Sequence, residues 1–474
     1  MKSGIVWFRN DLRLHDNEAL SEALDSVDIV IPVFIFDERL FNRFTQFGFR
    51  KTGVFRAKFI IEAVYDLKNS MIKMGSDLII RVGKPEVIIP EIVKNTKSSW
   101  VFCNRERTDE EVKVQDRLEK KLWEIGREIR FSRGKMLYYT ADLPFPVSHT
   151  PDIFSNFRKE VEHIVPVRKP LPDPHGLQRI PLKIESEEIP DLIRLGYNDV
   201  EINIATNAPL KGGESEGLQR LNYYLWEEKL IQKYKETRNG LLGNNYSSKF
   251  SAYLAQGCLS PKMIYNEILL FEKEVIANES TYWLKFELMW RDFFRLMGKK
   301  HGNKIFKLGG TKGIPGKWIE DRENFKLWAQ GQTGVPFVDA NMRELNHTGF
   351  MSNRGRQNVA SFLIHDLEIN WLMGAEYFES LLIDYDPCSN YGNWNYLAGV
   401  GSDPRENRRF NVVQQGKRYD PSGEFIRYWV PELIDVPDEY IHEPHEMPLE
   451  IQLSSRCRIG EIYPYPTSTK EGTF

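Results

Sequence analysis

The sequence predicts an α/β domain built on a parallel, doubly wound sheet, followed by a large all-α domain. Three observations carry this. Short, continuously apolar, β-branched runs alternate with amphipathic helical segments up to residue 132. A proline-dense stretch then interrupts both periods. From residue 214 onward helical spacing dominates and strand signals are scarce. Apolar strands joined by helices need both sheet faces covered, which a parallel sheet provides.

Taken in order, residues 5–8 and 29–36 are strands, the second rich in β-branched residues. Residues 55–71 form a helix with Phe55, Phe59, Ile60, Ala63, Val64 and Leu67 on one side. Residues 78–82 are a strand, and Pro85 opens the next helix. Residues 100–103 are a strand, 109–126 an amphipathic helix ended by Gly126, and 129–132 a fifth strand. No GxGxxG follows the first strand, so a dinucleotide fingerprint is absent. Prolines 144, 146, 151, 166, 170, 172, 174, 181 and 190 preclude long helices, and the apolar residues among them predict a segment packed over the surface. Helices are expected at 216–234, 261–277, 282–298, 324–330, 336–348 and 353–373. The domain division is 1–133, a linker at 134–209, and 210–474.

The bulk numbers bound the function. Apolar content is 41%, ample for a core, and the net charge of −3 gives no global signal for nucleic acid while leaving room for a local basic patch. Four dispersed cysteines without a CxxC predict free thiols in a reducing compartment. No signal peptide and no apolar run long enough for a membrane span is seen, so a cytoplasmic location is expected. The 11 Trp are mostly core and surface packing.

Four constellations stand out. Residues 382–396 hold Asp384, Asp386, Pro387, Asn390, Tyr391, Gly392, Trp394 and Tyr396. Pro387 and Gly392 mark a structured loop. Its acceptors, amide and aromatics suit a flat, hydrogen-bonding cofactor, and no His or Cys sits there at metal-ligand spacing. Ser247, Ser248, Lys249, Phe250 and Ser251 resemble a phosphate cradle, although a solvated helix cap is the commoner origin of such a run. Glu287, Trp290 and Arg291 share one helix face and can receive a planar ligand, or form a surface ion pair beside a core Trp. Arg356, Ala360, Leu363, Leu367 and Trp371 are expected to form one helical stripe rising about 22 Å, a pattern that core packing usually explains.

The chain resembles the photolyase/cryptochrome family over nearly its whole length. The resemblance rests on Ile5-Val6-Trp7-Phe8-Arg9-Asn10-Asp11-Leu12-Arg13, Leu259-Ser260-Pro261, Trp290-Arg291-Asp292-Phe293, Thr333-Gly334 with Val338-Asp339-Ala340, and residues 382–396. Gly399-Val400-Gly401-Ser402-Asp403-Pro404-Arg405 and residues 410–421 make it most similar to the cryptochrome DASH branch. The resemblance implies FAD held in the helical domain by Tyr234, Ser247–Ser251, Arg291, Asp384 and Asp386. It implies Asn390 beside the redox-active ring nitrogen and Arg356 paired with Asp384. Lesion-contacting positions match Glu287, Trp290, Asn353 and Arg354, with Gln357 and Tyr396 in the pocket wall. Electron-relay tryptophans match Trp394, Trp371 and Trp318. A folate antenna, 5,10-methenyltetrahydrofolate, is implied between the domains, with Glu111 as its carboxylate ligand.

The implied activity is blue-light repair of cyclobutane pyrimidine dimers by electron transfer from excited reduced FAD, with Glu287, Asn353 and Asn390 catalytic. Gln357 replaces a Met usual in duplex-acting relatives, and Tyr396 and Phe350 replace Trp. A more polar or smaller wall leaves less binding energy to offset flipping, which favours single-stranded or looped DNA and weak use of duplex DNA or RNA. The (6-4) photolyases carry His residues near the position of Asn353 and this chain has none there, so that activity is set aside. The rival reading is a signalling photoreceptor, but such proteins carry long tails beyond the helical domain and this chain ends soon after it. A monomer is expected.

Overall fold

A computed structural model gives the fold and describes residues 2–180, 184–314, 316, 318–403, 405 and 408–468. Pro181 of the linker and Pro404 of the DASH signature lie outside them. Strands β1 (Ser3–Phe8), β2 (Ile29–Phe36), β3 (Ile79–Val82), β4 (Trp100–Asn104) and β5 (Glu128–Ser132) form one parallel sheet in the order β3-β2-β1-β4-β5. Ile5 lies opposite both Ile31 and Val101. The two-residue period of a strand sends alternate side chains to opposite faces. Ile5 and Trp7 join Ile31, Val33, Ile89 and Leu118 in one core, and Val6 and Phe8 join Leu20, Val64, Leu67 and Phe102 in the other. That second core continues through Phe250, Leu259 and Phe293, so the helical region sits on this face of the sheet.

The strands fall where β-branched runs predict them. The Glu18–Ser26 helix was not anticipated; Asn17 caps it by accepting from the Leu20 N–H, and Ala19, Leu20 and Ala23 are buried. Between residues 134 and 209 the longest described helix is Phe154–Val161, eight residues long. The segment packs tightly rather than hanging free. Met136, Leu137 and Tyr138 are buried, and the Asp292 carboxylate accepts from the backbone N–H groups of Leu137 at 3.0 Å and Tyr138 at 2.8 Å.

Two kinds of expectation are corrected in the helical region, unbroken helices and a loop. Residues 353–373 are not one helix. Asn353–Ser361 runs into a π-helical turn at Phe362–Asp366, where Leu367 N–H bonds Phe362 O at 3.0 Å. Glu368 then turns left-handed at φ 56°, and Asn370 caps a separate helix, Trp371–Leu381. The continuous stripe from Arg356 to Trp371 therefore does not exist. Residues 216–234 are likewise interrupted, with the Glu214–Asn222 helix giving way to a π turn at Tyr223–Glu227.

The second correction concerns residues 382–396, expected to be a loop. Asp386 caps a helix, Pro387–Leu397, with Pro387 in its first turn where no N–H is needed. Gly392 is there for close packing: a Cβ would strike the Phe294 ring on the Glu279–His301 helix.

Candidate active site

The lesion-matched residues come from three helices: Glu279–His301, Asn353–Ser361 and Pro387–Leu397. Glu287 is half-buried and ion-paired with Arg238. Trp290 stacks on Phe154 of the linker helix with ring centroids 3.7 Å apart and planes within 10°, and meets Tyr396 edge-on at 6.0 Å. Such stacking is worth about 1 kcal/mol beyond burial and fixes the indole plane. Asn353 is exposed at the start of its helix, and Gln357 is half-buried one turn on. Arg354 donates to Asn239 Oδ1 at 3.1 Å and lies 4.6 Å over the Tyr419 ring. Arg408 donates to the Tyr396 hydroxyl at 3.2 Å. The charged form of Arg354 is disfavoured first by burial, and then by its neighbours Arg238, Arg418 and Arg408, while Tyr419 opposes the shift. Arg354 thus lies among three further arginines, of which Arg238 pairs with Glu287 and Arg408 pairs with the buried Asp403 carboxylate at 2.7 Å.

The flavin-matched residues divide into two groups. Arg356 grips Asp384 through two bonds, 3.0 and 2.9 Å, and Asp384 is buried. Lys249 sits at φ 61° with its ammonium beside the Tyr246 hydroxyl and 4.2 Å from the Phe350 ring centroid. Phe350 thus lies against this ammonium and, at 5.3 Å, the Arg356 guanidinium. Arg220 holds the Ser247 and Ser248 carbonyls at 3.0 Å each, shaping the loop ahead of Ser251. Burial pushes the Lys249 ammonium down to about 7 and the Glu344 carboxyl up to about 8, outweighing the attraction between the two. Glu344 Oε2 is buried with no hydrogen-bond partner among the described residues. A buried ammonium that burial drives toward neutrality, next to the serine-bearing 247–251 loop, fits a diphosphate. Tyr234 is buried beside Arg238 and Glu287. Asn390 is buried, its amide Nδ2 donating to Ala375 O at 3.0 Å.

The second group faces the domain junction. Asp386 Oδ2 accepts from Arg295 at 2.9 Å, and its other oxygen caps Ser389 N at 2.8 Å. Arg291 donates to the carbonyls of Lys135 and Leu254, at 2.8 and 3.1 Å. Arg295 also faces Glu106 at 3.6 Å, and Glu106 pairs with Lys135. Burial alone would raise the Glu106 carboxyl, but Lys135, Arg9 and Arg295 outweigh it and hold it down at about 2. Glu111, half-buried beyond β4, accepts from the Thr108 hydroxyl. Burial, then the Glu106 charge, raises its carboxyl. It lies near the place where strand order reverses beside β1, where open α/β sheets bind ligands.

Trp394 and Trp371 are buried and Trp318 is half-buried. Trp394 packs on the Trp371–Leu381 helix at Gly374, where any Cβ would collide with its ring. Backbone pairing of Ile319 with Glu368 and Asn370 seats Trp318 against the segment leading into Trp371. Reading the sequence missed Arg220, Arg238, Arg295, Glu344 and Phe154. Arg295 had a signal, lying four residues after Arg291 and eight after Glu287 on one helix face; Phe154 and Glu344 had none. Among the described residues there is no group of three or more His, Cys, Asp and Glu that could hold a metal, and no helix is long and apolar enough to cross a membrane. A cleft of about 370 Å³ lined by the Glu18–Ser26 helix and residues 172–176 contains none of the site residues.

This fold and these clusters define a flavin-binding protein of the photolyase type. The family model for the FAD binding domain of DNA photolyase matches residues 283–472, and that for DNA photolyase matches residues 4–175. The chain is 48% identical to a cryptochrome DASH of Gloeobacter violaceus, covering 98% of this chain and 93% of that protein. The crystal structure of a Synechocystis cryptochrome superposes with a TM-score of 0.95 at 45% identity, covering 99% of this chain and 97% of that one. A bacterial class III photolyase from Agrobacterium tumefaciens superposes with a TM-score of 0.88 at 29% identity, covering 99% and 94%. The chain belongs to the photolyase/cryptochrome family, in its cryptochrome DASH branch.

Proposed function

We propose that the protein splits cyclobutane pyrimidine dimers under blue light, preferring single-stranded or looped DNA. The observation that carries this reading is the Trp290 indole, held by Phe154 and Tyr396 beside the Arg238–Glu287 pair, with Arg354 and its neighbouring arginines close by. Arginines neutralise backbone phosphates, and an indole face takes a base by stacking. Arg238 orients Glu287 toward the polar edge of the dimer. Phe154 backs the indole so that its plane is set before substrate arrives. Asn353 stands exposed at the start of its helix, and Gln357 and Tyr396 form the remaining wall.

On the cofactor side, Lys249, Ser247, Ser248 and Ser251 would hold the diphosphate, with Phe250 and Tyr234 packed beside them. Asp384, Asp386, Arg291 and Arg356 fix the surrounding helices, and Asn390 lies beside the ring nitrogen. When bound, reduced FAD supplies the electron that opens the dimer and receives it back. Trp394, Trp371 and Trp318 form the route by which oxidised flavin is recharged. Glu111 holds a folate antenna at the junction, and the division at residues 133 and 209 separates antenna, linker and catalytic units. The working form is a monomer in the cytoplasm.

Duplex substrate must first be unstacked, at a cost of a few kcal/mol. The Gln357 and Tyr396 wall offsets less of this than a Met and Trp wall. Reduced, FAD-loaded protein is therefore expected to restore thymine-dimer oligomers faster as single strands than as duplexes. Equal rates would refute the strand preference, and no repair of either would move the signalling reading to first place.

A further inference from the structure

Tyr391 follows the ring-nitrogen neighbour Asn390 and precedes Trp394 by one helical turn. Its ring centroid is 6.4 Å from that of Trp371, at 75°. Its hydroxyl donates to Glu379 Oε2 at 2.9 Å, and both residues are buried, 5% and 3% exposed. Glu379 Oε1 lies 3.1 Å from the Lys51 ammonium, which also reaches Glu110 at 2.6 Å on the solvent side. Burial lowers the Lys51 pKa, but Glu379 and Glu110 outweigh it and the ammonium stays charged. Neither flavin binding nor lesion binding uses this phenol–carboxylate–ammonium chain.

We infer that Tyr391 and Glu379 form a proton-coupled redox site that refills Trp371 and stores the electron vacancy as a neutral tyrosyl radical. The inference rests on the relay reading of Trp394, Trp371 and Trp318. Trp371 is fully buried and its Nε1–H donates to the Leu308 carbonyl at 3.0 Å. An oxidised indole there is a cation whose proton faces a carbonyl oxygen, which is too weak a base to take it. A lone positive charge in a dry core costs several kcal/mol. Tyr391 offers a lower-energy seat. One electron passes from the phenol to Trp371, and the hydroxyl proton passes from Oη to Glu379 Oε2. Neutral Trp371, a neutral phenoxyl and a neutral carboxylic acid result. The positive charge then resides on Lys51, which keeps Glu110 as partner near solvent, and on the neighbouring Arg56, which keeps the Glu379 and Leu382 backbone carbonyls as acceptors. The oxidant is light-excited oxidised flavin, acting through Trp394.

Tyr385 also faces Glu379, but the Arg56 guanidinium lies 4.7 Å over its ring centroid. A cation over an aromatic face opposes removal of an electron from it. Tyr391 instead meets Phe306 edge-on at 4.6 Å and Trp371. The site is thus a second terminus, buried, where Trp318 is the half-buried one.

The test is a blue flash on protein loaded with oxidised FAD, read by transient absorption and freeze-quench electron paramagnetic resonance. The tryptophan radical of the wild type should convert to a neutral tyrosyl signal, more slowly in D2O than in H2O. Tyr391→Phe and Glu379→Gln should each lose the tyrosyl signal and lengthen the tryptophan radical's lifetime, while Tyr385→Phe keeps both as in the wild type. Tryptophan radicals with equal lifetimes in the wild type and Tyr391→Phe, and no tyrosyl signal, would overturn the inference with the relay intact. No tryptophan radical in the wild type would overturn it by removing the relay itself.

Discussion

Two clusters of buried charge lie in one helical framework and behave in opposite ways. At the domain junction Glu106, Lys135, Arg295 and Asp386 find one another, and Glu106 is held at about 2 against the pull of burial. Beside the Ser247–Ser251 loop, Lys249 and Glu344 are as deeply placed, but burial outweighs the attraction between them, and their pKa values converge on about 7 and 8. The first cluster pairs each carboxylate with a cation within the chain, although Arg295 Nε has no hydrogen-bond partner among the described residues. Under the proposed assignment, the imbalance at Lys249 and Glu344 is what a diphosphate would relieve, while the balanced junction cluster holds the fold.

The largest expected effect breaks the balanced cluster. Asp386→Ala leaves Arg295 buried without its carboxylate and should cost about 3–5 kcal/mol in urea unfolding of the cofactor-free protein. A loss below about 1 kcal/mol would show that the junction does not depend on this pair.

Lys249→Met should do the reverse. It removes an ammonium that costs the cofactor-free protein and serves the bound one, so the cofactor-free protein stays as stable or gains. FAD affinity, followed by fluorescence quenching at pH 6.5, should fall about tenfold or more, the worth of one charge-assisted hydrogen bond. The sign of the pH dependence follows. The native state binds more protons than the unfolded at Glu344, between its ordinary 4.5 and about 8, so that contribution is lost as pH rises. It binds fewer at Lys249, between 10.5 and about 7, so that contribution is lost as pH falls. Together they place the weakest point of the cofactor-free protein at about pH 7–8, and Glu344→Gln should make that minimum shallower in a denaturation series.

At the lesion-matched residues the expected effects are smaller. Trp290→Ala should weaken binding of dimer-containing single strands by about 1–3 kcal/mol with FAD content unchanged, measured by fluorescence anisotropy. Arg354→Ala should lower the slope of log affinity against log salt on single strands by about 0.7, one phosphate's worth, on damaged and undamaged DNA alike. An effect confined to damaged DNA would assign Arg354 to the lesion rather than the backbone.

The sheet was legible because each strand is a compact apolar run between turn residues, and the period survives folding. The break at residues 362–371 was not, because apolar residues continue through it. A π turn, the left-handed Glu368 and the Asn370 cap decide that path through local hydrogen bonds. Residues 382–396 could have been read better, since Asp386-Pro387 is a helix start signal, but Pro387 and Gly392 suggested a loop. The residue types of the site were legible, and the partners that set their chemistry were not. Arg295 and Asp386 are 91 positions apart, and Phe154 reaches Trp290 from the linker. Only the folded chain brings such pairs together.

The most direct test of the difference between the two clusters counts protons as FAD binds. Calorimetry at pH 8 in buffers of different ionisation heat should show net proton uptake in the wild type, because the diphosphate recharges Lys249, and less in Lys249→Met. Binding without proton uptake in the wild type, or with the same uptake in Lys249→Met, would contradict the assignment of this cluster as the cofactor seat.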